Sequence, residues 1–79
     1  MRLVSVESDN ISQIGFERNR KLSMGAKPVN VLRVIFINGS VYDYYNAEEQ
    51  LFLDFLHSDS KGKFLHSHIV DKYDYEKIK

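Results

Sequence analysis

Between Val31 and Tyr45 the chain reads VLRVIFINGSVYDYY, two runs of β-branched and aromatic residues on either side of Asn38-Gly39. Runs of this kind predict two strands, and an Asn-Gly between them predicts a hairpin. A two-residue loop would pair Ile37 with Ser40 and turn Tyr42 and Tyr44 away from Leu32, Val34 and Phe36. A three-residue loop, Ile37-Asn38-Gly39 with Gly39 left-handed, pairs Phe36 with Ser40 and Val34 with Tyr42. It gathers Leu32, Val34, Phe36, Tyr42 and Tyr44 on one face. A sheet with one buried face takes the register that collects its apolar side chains, so the three-residue loop is predicted. In that register the rings form core beneath the helices, not an open platform for stacking bases.

The remaining pattern supplies the rest of the fold. Ile11 to Glu17 reads as a strand with Ile14 and Phe16 on one face and Gly15 on the other, where a glycine marks a bulge or a close approach. Leu3 to Val6 extends that strand or adds an edge, and Glu7-Ser8-Asp9-Asn10 reads as a turn. Asn46-Ala47-Glu48-Glu49 opens a helix, with Asn46 as its cap and Glu49 at the capping-box position. Leu51, Phe52, Phe55 and Leu56 line one stripe of it, while Leu53 points the other way. Ser58-Asp59-Ser60 ends that helix and caps a second, in which Phe64, Leu65 and Ile69 form the apolar side. The tail carries Tyr73 and Tyr75 among alternating charges; those rings are expected to dock and the last residues to fray. Arg18 to Asn30, with Gly25, Pro28 and little periodicity, is expected to be a long loop. The prediction is an α+β fold: a three-stranded antiparallel sheet (about 11–17, 31–37 and 40–45), with 3–6 either extending the first strand or adding a short edge. Two helices (about 47–57 and 61–69) pack on one face.

Length and composition bound what such a fold can be. Seventy-nine residues allow one domain, and its ten Phe and Tyr rings are how a small core without disulfides is filled. The absence of cysteine excludes disulfide scaffolds, Cys-based zinc sites and thiol nucleophiles. No apolar run approaches the roughly 18–20 residues that span a bilayer. The opening MRLVSVESDN turns acidic too early for a signal peptide, so a soluble, cytoplasmic protein is expected.

Charge changes the picture more. The net value is zero, which argues against a protein living on non-specific phosphate attraction. Yet Arg18, Arg20, Lys21, Lys27 and Arg33 form a stretch with no acid, and Asp43, Glu48, Glu49, Asp54 and Asp59 form one with no lysine or arginine. Solvated faces are the ordinary reading. The sharper one is a basic loop for one partner and an acidic helix for another.

Candidate chemistry is sparse. His57, His66 and His68 lack the i, i+4 spacing of a helical zinc site, and no metal or cofactor is expected. Lys61-Gly62-Lys63 at a helix start could meet an anion, but the second glycine and the Lys-Ser/Thr pair of a phosphate loop are missing. Ser60 with a nearby histidine has no oriented base or oxyanion hole, and Glu48 and Glu49 diverge, so no enzyme is expected.

Ile14-Gly15-Phe16, Leu32-x-Val34-x-Phe36-x-x-Gly39, Tyr42-x-Tyr44 and Ser60-Lys61-Gly62-Lys63-Phe64, closing on Ile69, together resemble the KTSC domain. That family is named for its place at the C-terminus of some lysyl-tRNA synthetases and also occurs as free-standing bacterial and phage proteins. The likeness runs from about Ile11 to Tyr75, with Arg18 to Asn30 as an insertion and His66 where the family commonly has Asn. It implies a single non-catalytic accessory domain over 1–79 with a connection to RNA.

Two functions follow. In the first, Arg18, Arg20, Lys21 and Lys27, with Lys61, Lys63 and His66, contact RNA or tRNA. In the second, the chain binds a protein partner and modulates a larger enzyme. A shared positive face for the loop and Lys61/Lys63 favours nucleic acid; opposite placement favours protein.

Overall fold

A computed structural model covers residues 1–79. Its antiparallel sheet holds β1 (Arg2–Ser5), β2 (Ile11–Arg20), β3 (Val29–Phe36), β4 (Val41–Tyr45) and β5 (Tyr75–Lys77), side by side in chain order. Between β4 and β5 the chain forms α1 (Glu49–His57) and α2 (Lys61–Phe64). No helix is long and apolar enough to cross a membrane. The α+β class stands, but the sheet has five strands where three were expected, with 3–6 as an extension or an edge. Both additions are edges that β-pairing imposes on weak local signals: β1 on the first half of β2, and Tyr75-Glu76-Lys77 on β4.

The central hairpin takes the predicted loop. Val34 faces Tyr42 and Leu32 faces Tyr44, and Phe36 N–H donates to Ser40 O at 2.9 Å. Gly39 has φ +93°, a conformation that costs a glycine nothing and any other residue about 1–2 kcal/mol. The alternation of β-structure then sorts whole rungs across the sheet. Val4, Ile14, Val34, Tyr42 and Lys77 stand in one, and Arg2, Phe16, Leu32, Tyr44 and Tyr75 in another on the same face. Between them lies a rung of the opposite face: Leu3, Gly15, Arg33, Asp43 and Glu76.

The helices cover the first face. Ile11, Ile14, Leu32, Val34, Tyr44, Ala47, Phe55, Leu65 and Ile69 form one buried cluster there. Phe52 of α1 stacks on Phe16 of β2 with ring centres 5.7 Å apart, and Phe55 stacks on Phe64 of α2 at 5.2 Å. The helical stripe read from Leu51, Phe52, Phe55 and Leu56 is the packed one. Ser60 caps α2 by accepting from Lys63 N–H at 3.3 Å. The helix then widens without a break into a π-helical turn, Leu65–Ile69, closed by Val70 N–H on Leu65 O at 2.8 Å. The wider turn leaves Leu65 and Ile69 buried with His66, Ser67 and His68 exposed between them.

The start of α1 departs from expectation. Asn46 is left-handed (φ +65°) and is no cap; its N–H donates to Asn30 O at 2.8 Å, tying the end of β4 to the start of β3. Glu48 occupies the cap position and its side chain makes no capping bond. Asparagine tolerates both roles, and here the strand corner takes it. Gly15 answers to a close approach: a Cβ there would lie 2.7 Å from Leu3 Cδ2.

Candidate functional site

The stretch 18–30 is a loop only in its middle. β2 continues through Arg20 and β3 begins at Val29, so the connection is Lys21 to Pro28. The extra strand is carried by backbone pairing of Arg20 with Val29, past a bulge in which Asn19 is left-handed (φ +55°) and held by Asn30 Oδ1. No apolar periodicity marks Arg18-Asn19-Arg20, which is why sequence reading places it in the loop.

The bulge at Asn19 divides the two arginines, which strict alternation would put on one face. Arg18 points to the helix side and donates to the carboxylate of Glu49 in the first turn of α1. Arg20 points to the open face, where its Nη1 donates to Asp43 Oδ2 at 3.2 Å. Arg33 grips the same carboxylate with two bonds, Nε to Oδ1 at 2.7 Å and Nη2 to Oδ2 at 2.8 Å. Asp43 is 1% exposed, and this paired geometry is what allows a carboxylate out of water. The hydrogen bonds to Asp43 raise the Arg33 pKa above its ordinary value. Beside them, Tyr45 Oη donates to Glu76 at 2.7 Å. Burial first, then that bond, pushes the Tyr45 hydroxyl up to about 12.

Of this open-face network only Arg20 was among the expected site residues, although a signal for Arg33 and Asp43 existed. Pairing Val34 with Tyr42 necessarily sets Arg33 opposite Asp43. No buried side-chain nitrogen or oxygen of the network lacks a partner.

The loop is different. Ala26 N–H closes a turn on Ser23 O at 3.2 Å, with Gly25 at φ +80°. At its tip Met24 is fully exposed (101%) and Leu22 half-exposed (49%), between the exposed Lys21 and Lys27. Neither lysine joins an ion pair.

Lys61 and Lys63 stand elsewhere. Lys61 lines a cleft of about 380 Å³ with Asn10, at the opposite end of β2 from the loop. A strand of ten residues separates the two by roughly 30 Å. Lys61 Nζ is occupied by Ser58 O at 2.5 Å, and Glu7, Asp9 and Asp59 line the same cleft. Three carboxylates around one engaged ammonium make a field that disfavours phosphate. Lys63 and His66 are exposed nearby. The structure therefore brings Arg18, Arg20, Lys21 and Lys27 to one end, neutralises the first two, and puts Lys61, Lys63 and His66 away from them.

The predicted aromatic face is core on its helix-covered part. Tyr44 is buried, and Phe36 and Tyr42 pack edge to face with centres 5.6 Å apart. Tyr75 of β5 closes over both Tyr42 and Tyr44 at 5.8 Å.

Comparison with known proteins agrees with this architecture. The family model of the KTSC domain matches residues 26–73, more than half of the chain. The crystal structure of a KTSC domain protein from Yersinia pestis superposes with a TM-score of 0.79 at 28% identity, covering 99% of this chain and 97% of that one. Comparison with curated proteins gives no match.

Proposed function

Since this chain belongs to the KTSC domain family, we propose that it is a small non-catalytic module that docks on another protein through the Lys21–Pro28 loop. One observation carries this: the loop holds Leu22 and Met24 in water between two unpaired lysines, while the other candidate cations stand at the far end of β2 or are neutralised. A surface that tracks a phosphate backbone needs its cations along one face. An apolar tip with a charged rim is what protein interfaces bury, and methionine adapts its shape to many partners. The complementary surface is apolar and rimmed by carboxylates.

A photo-crosslinking residue at position 24, used in nuclease-treated cell extract, tests the reading. A protein adduct is expected, lost when Lys21 and Lys27 are both changed to Ser. Adducts to RNA alone, or tRNA binding that falls steeply with salt and vanishes in that variant, would overturn it in favour of nucleic acid.

A further inference from the structure

We infer that Asn38-Gly39, at the tip of the central hairpin, is a covalent modification site that the closed loop holds unreactive. Conversion of Asn38 to an isoaspartyl residue then marks chains whose hairpin has opened.

Asparagine is among the chemically labile side chains, and a following glycine hinders its loss least. The Gly39 nitrogen attacks Asn38 Cγ and an N–Cγ bond forms. The Cγ–Nδ2 bond breaks, and the proton from the Gly39 nitrogen passes through water to Nδ2, which leaves as ammonia. Water then opens the five-membered imide. Cleavage at Cγ leaves an aspartate. Cleavage at the main-chain carbonyl of Asn38 leaves an isoaspartate, with the backbone routed through Cβ and Cγ.

Burial does not protect this tip. Asn38 and Gly39 are exposed, and a Cβ at Gly39 would meet no atom within 4 Å. The guard is the turn itself. Gly39 N–H donates to Phe36 O at 2.9 Å, which closes a four-residue turn from Phe36 to Gly39 and engages the proton of the attacking nitrogen. Neither Ile37 nor Asn38 has a positive φ, so the turn is type I, with Asn38 ψ at about 0°. The imide ring instead needs Cβ, Cα and the carbonyl carbon of Asn38 in one plane with the Gly39 nitrogen. For an L-residue that sets ψ about a third of a turn from the type I value, so the ring cannot close while the turn stands. Two further bonds hold the loop: Ser40 N–H donates to Asn38 Oδ1 at 2.9 Å, and Ile37 N–H donates to Asn10 O at 2.9 Å. The first also draws electron density from Cγ, so the restraint is one of geometry and not of reactivity.

The two products act oppositely on the hairpin. Aspartate at this position keeps an acceptor for Ser40 N–H, and the bond becomes charge-assisted. Isoaspartate adds a backbone atom to a loop whose length sets the bond from Phe36 N–H to Ser40 O and the pairing of Val34 with Tyr42. The lengthened loop strains that register.

Peptide mass spectrometry reads the conversion in the full chain, incubated at mildly alkaline pH in buffer and in denaturing guanidinium chloride. Asn10, Asn19, Asn30 and Asn46, none followed by glycine, serve as internal references. Asn38 is expected to convert about tenfold or more faster in the unfolded chain, because only the opened fraction of the folded chain reacts. After refolding, chromatography separates the aspartyl and isoaspartyl chains for denaturant melts. The isoaspartyl chain is expected to be less stable than wild type, while N38D matches or exceeds wild type. Conversion as fast in the folded chain as in the unfolded one would overturn the guard. An isoaspartyl chain no less stable than N38D would overturn the mark on the hairpin, and an unfolded chain that leaves Asn38 intact would remove the site altogether.

Discussion

The two faces of this sheet differ in what they bury: apolar side chains under the helices and, beside Val31, a carboxylate on the open side. On the helix side, Ile14, Val34, Leu32 and Tyr44 sit under Phe55, Leu65 and Ile69, where stability comes from apolar area and close packing. On the open side there is no second layer. There Asp43 is withdrawn from water to 1% exposure by Arg33 and Arg20, whose own side chains keep 22% and 34% of their exposure. Asp43 and its neighbours Tyr42 and Tyr44 are consecutive residues, so a single register decides both faces. A sheet with one helical layer can thus protect its bare side with a paired charge network in place of more core.

The contrast is sharpest for Phe55→Ala. The ring is fully buried and stacked on Phe64, so its removal should cost about 3–5 kcal/mol in urea unfolding, with the m-value unchanged. A loss under about 1.5 kcal/mol would mean the helix layer is not the main source of stability.

Asp43→Ala tests the other face. Removing one partner of a fully buried pair costs about 3–5 kcal/mol, but both arginines here can swing to solvent, so about 1.5–3 kcal/mol is expected. Raised salt should not reproduce the effect, because the carboxylate is shielded from ions. An effect as small as that of an exposed pair, under about 1 kcal/mol, would reduce the network to decoration.

The smallest effect, and the most specific, is alkaline. Tyr45 keeps its proton up to about 12 in the fold, against 10.0 for an ordinary tyrosine. Its contribution is therefore complete below about pH 10 and is lost as pH rises through about 12. Tyr44, raised by burial, acts in the same direction. Tyr45→Phe should cost about 1 kcal/mol at neutral pH through the lost bond to Glu76. It should also flatten the alkaline decline. Stability measured against pH with tyrosine absorbance separates the two, and an unchanged decline would remove Tyr45 from the network.

Much of this was legible in the chain. Leu32, Val34, Phe36, Tyr42 and Tyr44 read as one face, and Gly39 as the residue that lets the hairpin close with three residues. The packed stripe of α1 and the capping role of Ser60 were legible for the same reason, since periodicity and caps are local. β5 was not, because Tyr75-Glu76-Lys77 has too few apolar residues to register as a strand until Tyr42 to Tyr44 pair with it. Nor was the end of β2, where Arg18 to Arg20 carry no alternation. Asn46 was misplaced because its side chain suits a cap and a left-handed corner equally.

The candidate site divides in the same way. Residue order alone determined the hairpin register, because the buried face and the left-handed glycine admit a single pairing, and that pairing sets Arg33 opposite Asp43. Only the tertiary structure decided that Arg18 meets Glu49, that Arg20 joins Asp43, and that the loop lies a strand's length from Lys61. Charges have no periodicity of their own. Which of them meet depends on strand length and on where a helix docks, and both are set by contacts between residues far apart in the chain.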